Sequence, residues 1–285
     1  MLEASRSRRP LVTALVLVAL LVVLAAAPAT AITNGRLDGN GHPHVGLMIA
    51  KSANGNVLWR CSGTLMSPTV FMTAGHCTEA PAARAEVWFA AGPIPLGTGF
   101  NPQTRACAAN ATGYPCVGEV SGVAHVHPAY NPNLFFYRDL GVVVLNTPVE
   151  RSTYGRLPAL NSLDRLKPGK RSSFTAVGYG LQRSSPSPLA FLTKAERTRM
   201  VSNPHLLQIN TPGFTGDFSL LLSNNAKTGG TCFGDSGGPN FLGSSNVVAG
   251  VTSFGLNPTC AGTGGVFRVD RSWSLNWLAT FGITP

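Results

Sequence analysis

Apolar residues in this chain come in short bursts separated by glycine, proline, asparagine and serine. Residues 45–50, 63–66, 70–74, 86–90, 140–145, 174–177, 206–209, 247–254 and 266–269 each form one. Runs of four to eight residues with turn formers at both ends read as strands, because a helix needs a longer periodic stretch. The 32 glycines and 21 prolines show no Gly-x-y period, which excludes collagen and demands frequent turns. With 22 Lys and Arg and 12 Asp and Glu in 285 residues, charge is too sparse for coiled coils or long solvated helices. The fold class is therefore all-β, and such an architecture can use the whole length as one unit. One late segment differs. Trp273, Trp277, Leu278 and Phe281 follow a helical period behind Ser272, a possible N-cap, so a terminal helix is predicted over about 272–281.

The chain begins with Arg6, Arg8 and Arg9, then an apolar stretch over 11–27 broken only by Thr13, then Ala29-Thr30-Ala31. A basic head, an apolar core and a small-x-small triplet make a signal peptide, so residues 1–31 are expected to be removed on export and 32–285 to form the folded domain. The expected location is secreted and extracellular. No later segment approaches a membrane span, and no stable membrane insertion is expected after removal. The formal charge is +10, but the Lys and Arg residues are scattered and lack an aromatic-interleaved stripe. Nucleic acid is therefore not an expected partner. Six cysteines, at 61, 77, 107, 116, 232 and 260, lack paired Cys-x-x-Cys knuckles and in an exported chain point to disulfides. Proximity suggests Cys61 with Cys77, Cys107 with Cys116 and Cys232 with Cys260, among 15 pairings possible for six cysteines.

Three short motifs carry the chemistry: Thr73-Ala-Gly-His-Cys77, Arg138-Asp-Leu-Gly141 and Gly234-Asp-Ser-Gly-Gly-Pro239. A serine hydroxyl is a weak nucleophile until an imidazole takes its proton, and the imidazole needs a buried carboxylate to fix its tautomer. Ser236, His76 and Asp139 supply those groups. The other histidines lie near prolines or in polar turns. Asp164 and Asp217 sit in polar loops, and Asp235 is adjacent to the serine; Asp139 alone opens a buried strand. Glycines beside Ser236 allow the N–H groups of Gly234 and Ser236 to converge on one oxyanion. Glu79, Glu86 and Glu119 are too sparse for a calcium loop, and no metal or cofactor is expected.

With these motifs in this order, the chain resembles the trypsin/chymotrypsin-like serine endopeptidases. Ile32-Thr-Asn-Gly35, Cys61-Ser-Gly-Thr-Leu65, Val126-His-Pro-Ala-Tyr130, Gly178-Tyr-Gly180, Ser253-Phe-Gly255 and Gly265-Val-Phe267 match further stations. The resemblance implies two packed six-stranded antiparallel β-barrels, over about 32–150 and 151–270, with the site between them. It implies the Cys61–Cys77 and Cys232–Cys260 bridges, whereas Cys107–Cys116 rests on proximity in an insertion the family pattern does not place. It also implies a primary pocket with Gly230 at its floor and Gly255 and Gly265 as walls, uncharged and roomy, hence cleavage after Phe, Tyr, Leu or Met. Ser253, Phe254 and Gly255 would line the substrate backbone. An N-terminal Ile32 would pair its ammonium with Asp235 and shape the oxyanion hole. Phe254 and Tyr179 stand where the family usually has Trp. Polypeptide substrates and protein inhibitors are the partners that the resemblance implies. A catalytically silent binding module of the same fold is the alternative, although all three reacting groups are present.

Overall fold

The computed structural model describes residues 32–185 and 193–285; the expected signal segment, 1–31, lies outside the described residues. A two-residue strand, β1 (Arg36–Leu37), comes first. Four strands follow: β2 (Val45–Ser52), β3 (Val57–Leu65), β4 (Val70–Thr73) and β5 (Ala82–Trp88). A hairpin of β6 (Thr98–Asn101) and β7 (Ala106–Thr112) precedes β8 (Val120–Val126) and β9 (Gly141–Leu145). Six of these close into an antiparallel barrel in the order β2-β3-β4-β9-β8-β5, and β6–β7 stands apart as its own two-stranded sheet.

The second half contains β10 (Gly169–Gly178), β11 (Met200–Ser202), β12 (His205–Thr211), β13 (Gly216–Asn224), β14 (Pro239–Leu242), β15 (Val248–Gly255) and β16 (Gly262–Arg268). The order β10-β12-β13-β16-β15-β14 returns to β10 through the Phe174↔Leu242 pairing, which closes a second six-stranded antiparallel barrel. One helix, α1 (Ser272–Ala279), ends the described chain. Among the described residues, no helix is long and apolar enough to cross a membrane.

The apolar bursts become strands because their side chains find cover on both faces. In β2 seven successive residues, Val45 to Lys51, are buried, one face filling the barrel and the other meeting neighbouring structure. Phe71, Met72, Val142 and Val143 of the first barrel belong to one apolar cluster with Val177, Phe241, Val251 and Phe267 of the second, so the two interiors are continuous through the seam. Burial of each such side chain stabilises the fold by about 1.5–3 kcal/mol. A polar layer crosses the seam as well. Arg199 is fully buried, pairs with Asp38 at 2.9 Å and donates to the carbonyls of Val45 at 3.2 Å and Phe89 at 2.9 Å. The Tyr179 hydroxyl donates to the Ala90 carbonyl at 2.7 Å. Full pairing of this kind removes the desolvation penalty that an unpaired buried cation would carry.

The structure corrects the sequence reading at the chain start and at the helix N-cap. Residues 32–37 were assigned to the first barrel, but β1 pairs with β11 (Arg36↔Val201) and Thr33 bridges Gly230, so the chain start is part of the second sheet. The terminal helix crosses the other way. Its Trp277 packs on His127, with ring centroids 5.1 Å apart, and Leu275 and Leu278 enter the cluster shared with the first barrel. Finally, Ser272 is inside the helix; the N-cap is Arg271, whose guanidinium has no acceptor to offer the first N–H groups and instead donates to Asn161 at 2.7 Å and Asp164 at 3.1 Å.

Candidate active site

His76 sits in a 3-10 turn (Gly75–Cys77) that follows β4, and the Cys61–Cys77 disulfide ties that turn to β3. β4 pairs with β9 so that Thr73 lies opposite Gly141, which brings the end of one strand beside the start of the other. Asp139, just before β9, is thereby placed under His76 and is fully buried. Its Oδ1 accepts from the His76 backbone N–H at 2.9 Å, and its Oδ1 and Oδ2 lie 3.1 and 3.0 Å from the ring Nδ1. Ser253 on β15 donates its hydroxyl to Asp139 Oδ2 at 2.5 Å, so the carboxylate is gripped from both barrels. The preceding residue is strained. Arg138 takes φ +57° and rests its guanidinium 4.6 Å from the Trp273 ring of α1. Burial disfavours the charged form of His76, yet the Asp139 charge and hydrogen bond, with Glu79 adding to them, hold its pKa above the ordinary imidazole value.

Ser236 lies in the turn entering β14. Its carbonyl accepts from the Ser62 N–H of β3 at 2.8 Å, and the Ser62 hydroxyl donates to the Gly234 carbonyl at 2.9 Å, so the first barrel holds the turn from outside. Gly237 must lack a side chain: its φ is +77°, and a Cβ there would stand 1.9 Å from Thr73 Oγ1. The Ser236 hydroxyl makes no side-chain hydrogen bond among the described residues, His76 included, although both residues line one cavity. Catalytic hydrogen bonds of this kind often tighten only with substrate bound.

Asp235 is fully buried, accepting from the N–H groups of Gly180 at 2.7 Å and Cys232 at 2.9 Å. Its carboxylate fits because Gly178 and Gly180 leave a cradle: a Cβ at either would come within 2.3 or 2.5 Å of it. Burial pushes its pKa up to about 7, against the backbone bonds from Cys232 and Gly180 and the Arg60 charge, which lower it. Ile32 is likewise fully buried and precedes Thr33, whose carbonyl accepts from the Gly230 N–H at 3.1 Å, only a few residues before the Asp235 turn.

The shared cavity has a volume of about 540 Å³ and is lined by Trp59, Arg60, Cys61, His76, Phe135, Thr231, Cys232, Phe233, Gly234, Ser236, Thr252, Ser253, Phe254, Gly255, Asn257 and Cys260. None of these is acidic. The structure therefore brings together His76, Asp139, Ser236, Gly234, Ser253, Phe254 and Gly255. It does not bring in Gly230 and Gly265. The Asn224 side chain covers Gly230, where a Cβ would meet its Cγ at 2.2 Å, and the Phe254 ring lies over Gly265, 2.3 Å from the Cβ position. A register shift in the β15–β16 ladder sets Phe254 opposite Gly265, so the ring fills space that the two wall glycines would otherwise leave open. The sequence reading missed the lining residues Trp59, Arg60, Phe135, Thr231, Phe233, Thr252 and Asn257; Thr231 follows the expected floor position in the same segment. All three proximity pairings of cysteine are present: Cys61–Cys77, Cys107–Cys116 and Cys232–Cys260. Cys61, Cys77 and His76 cluster tightly, but both sulfurs are in the disulfide and offer no thiolate to a metal.

Two closed antiparallel barrels with serine, histidine and aspartate at their seam have the architecture of a chymotrypsin-fold serine peptidase. The family model described as Trypsin matches residues 38–277, and the chain belongs to that family. It is 28% identical over 231 residues to brachyurin of Leptuca pugilator, covering 80% of this chain and 90% of that protein. It is 26% identical over 257 residues to a chymotrypsin of Phaedon cochleariae, covering 89% and 83%. Among solved structures, HL collagenase superposes with a TM-score of 0.63 at 20% identity, covering 89% of this chain and all of that one.

Proposed function

We propose that this chain is an exported serine endopeptidase in which Ser236 attacks the peptide carbonyl, His76 takes and returns its proton, and Asp139 orients His76. The observation that carries this reading is the run of hydrogen bonds Ser253–Asp139–His76, ending in the cavity that also holds Ser236. Asp139 fixes the imidazole with Nδ1–H toward the carboxylate, which leaves Nε2 as the base. Proton loss makes the Ser236 oxygen nucleophilic; its bond to the carbonyl carbon forms as charge gathers on the carbonyl oxygen, where the Gly234 and Ser236 N–H groups stabilise it. Collapse expels the amine, which takes the His76 proton, and water then hydrolyses the acyl-enzyme by the same path.

Ser253 to Gly255 offers an edge on which the acyl half of a substrate adds as a strand. No carboxylate lines the cavity among the described residues, which supports an uncharged primary pocket and cleavage after Phe, Tyr, Leu or Met. The Phe254 ring has to yield for the largest of these. Export by way of the 1–31 segment, three disulfides and a functional terminus at Ile32 belong to the same reading. No protease site of the Lys or Arg type precedes Ile32, so signal removal itself would free the ammonium for Asp235.

A fluorophosphonate probe tests it. Labelling of the Ile32-started protein that is absent in Ser236→Ala is expected, together with peptide cleavage after apolar residues. Folded protein that takes no label would favour the silent binding module instead.

A further inference from the structure

We infer that Arg60 makes this enzyme select an acidic side chain in the first two residues after the scissile bond, an inference that rests on the peptidase reading above. Arg60 is on β3, half-buried, and lines the cavity together with His76 and Ser236. Its Nε and Nη2 lie 3.0 and 3.2 Å from the point where a Cβ on Gly234 would stand, so the guanidinium is packed against the turn assigned to the oxyanion. It makes no ion pair, side-chain hydrogen bond or ring contact among the described residues. Its charge helps to lower the pKa of Asp235, but Asp235 is fully buried and its oxygens are held by Gly180 and Cys232. Its own neighbours therefore leave the donor fork of Arg60 unused.

The walls of the cavity say which half of a substrate meets that fork. The acyl half lies along Ser253–Gly255 of β15, with its last side chain toward Thr231, Cys232 and Cys260. The leaving half must continue past His76, which protonates its amine, and there the opposite wall is Trp59, Arg60 and Cys61 of β3, backed by the Cys61–Cys77 bridge. A cation on that wall meets the side chains that depart first. A planar guanidinium with free donors fits a carboxylate in a bidentate manner, and its charge repels Lys or Arg at the same place. The expected selectivity is for Asp or Glu on the leaving side, independent of the apolar preference on the acyl side.

The test uses the full processed enzyme and paired internally quenched peptides that share one acyl half and differ only in Asp or Lys, at the first leaving-side residue in one pair and at the second in another; the larger ratio is the one read. We expect kcat/KM to favour Asp by about tenfold at low salt, with the preference shrinking as salt rises. In Arg60→Ala the ratio should approach one, and in Arg60→Glu it should invert, while Arg60→Lys keeps part of it. The ratio is read within each protein, so a general loss from imperfect folding cancels. A wild-type ratio near one, or one that Arg60→Ala leaves intact, overturns the assignment of Arg60 alone. Protein that neither cleaves peptides nor takes the fluorophosphonate label overturns the peptidase reading and this inference with it.

Discussion

A chain that begins at Ile32 and one that begins a single residue earlier, at Ala31, are expected to differ in how their stability depends on pH. Asp235 has an ordinary pKa of 3.8, and in the folded, unprocessed chain it is pushed up to about 7. The folded state therefore binds a proton that the unfolded state has released, so stability is full below about pH 4 and is lost as pH rises toward 7. The whole displacement is worth about 4 kcal/mol, roughly 10 °C in Tm for a domain of this size. His44 acts in the opposite sense. Its ring nitrogens have no partner, and burial, with the His42, Arg199 and Arg151 charges outweighing Asp38, lowers its pKa from 6.5 to about 4. That histidine adds about 3 kcal/mol as pH rises through the same window. In a single pH–stability curve Asp235 and His44 thus oppose each other, whereas the difference between the two chains cancels His44. With Ser236→Ala in both to prevent self-cleavage, urea unfolding from pH 4.5 to 8 should show the Ile32 chain gaining up to about 4 kcal/mol over the Ala31 chain, because its ammonium meets the Asp235 charge. The advantage should fade above pH 8, where a free α-amino group loses its proton. Parallel curves for the two chains would refute the pairing of Ile32 with Asp235, and a gap that survives Asp235→Asn would show that another group causes it.

Activity should rise with pH through a midpoint above 6.5, because only neutral His76 accepts the Ser236 proton and Asp139 holds its pKa up; in Asp139→Asn, turnover should fall by at least about 100-fold and the midpoint should move down, as kcat/KM profiles would record. Replacing Cys107 and Cys116 together with Ser opens a loop of sequence separation 9 and should cost about 2–3 kcal/mol in denaturant unfolding, with the rate of fluorophosphonate labelling unchanged because the β6–β7 hairpin lies outside the cavity lining.

What was legible in the sequence is what depends on local pattern. The burst at 70–74 is β4 and that at 140–145 is β9, and the chemistry-bearing motifs sit at their ends because strand ends are where a side chain can leave the sheet yet stay fixed. β8 was missed because it is only partly buried, with Ala124, His125 and Val126 giving no apolar run, and β6 and β7 because Thr, Gly, Ala and Asn carry little strand signal. The pairing of β1 with β11 spans more than 160 residues and has no local trace. That His76, Asp139 and Ser236 come together was readable from residue types and order. The pocket was less so: its shape depends on one register shift that puts the Phe254 ring over Gly265, and on an Asn224 side chain that covers Gly230, neither of which spacing can report. His44 and His127, read as residues near prolines or in polar turns, are buried, because aromatic rings from a distant strand and from α1 pack on them.

Arg138 holds its strained backbone beside Asp139 with its guanidinium over Trp273, a residue of the final helix. The residue beside Asp139 thus lacks its aromatic support until nearly the last residues of the chain have been made. During synthesis, His76 and Asp139 emerge long before Ser253, which grips Asp139, and Trp273, which backs Arg138. A half-made chain is in this way denied the finished arrangement of these residues by its own order of assembly.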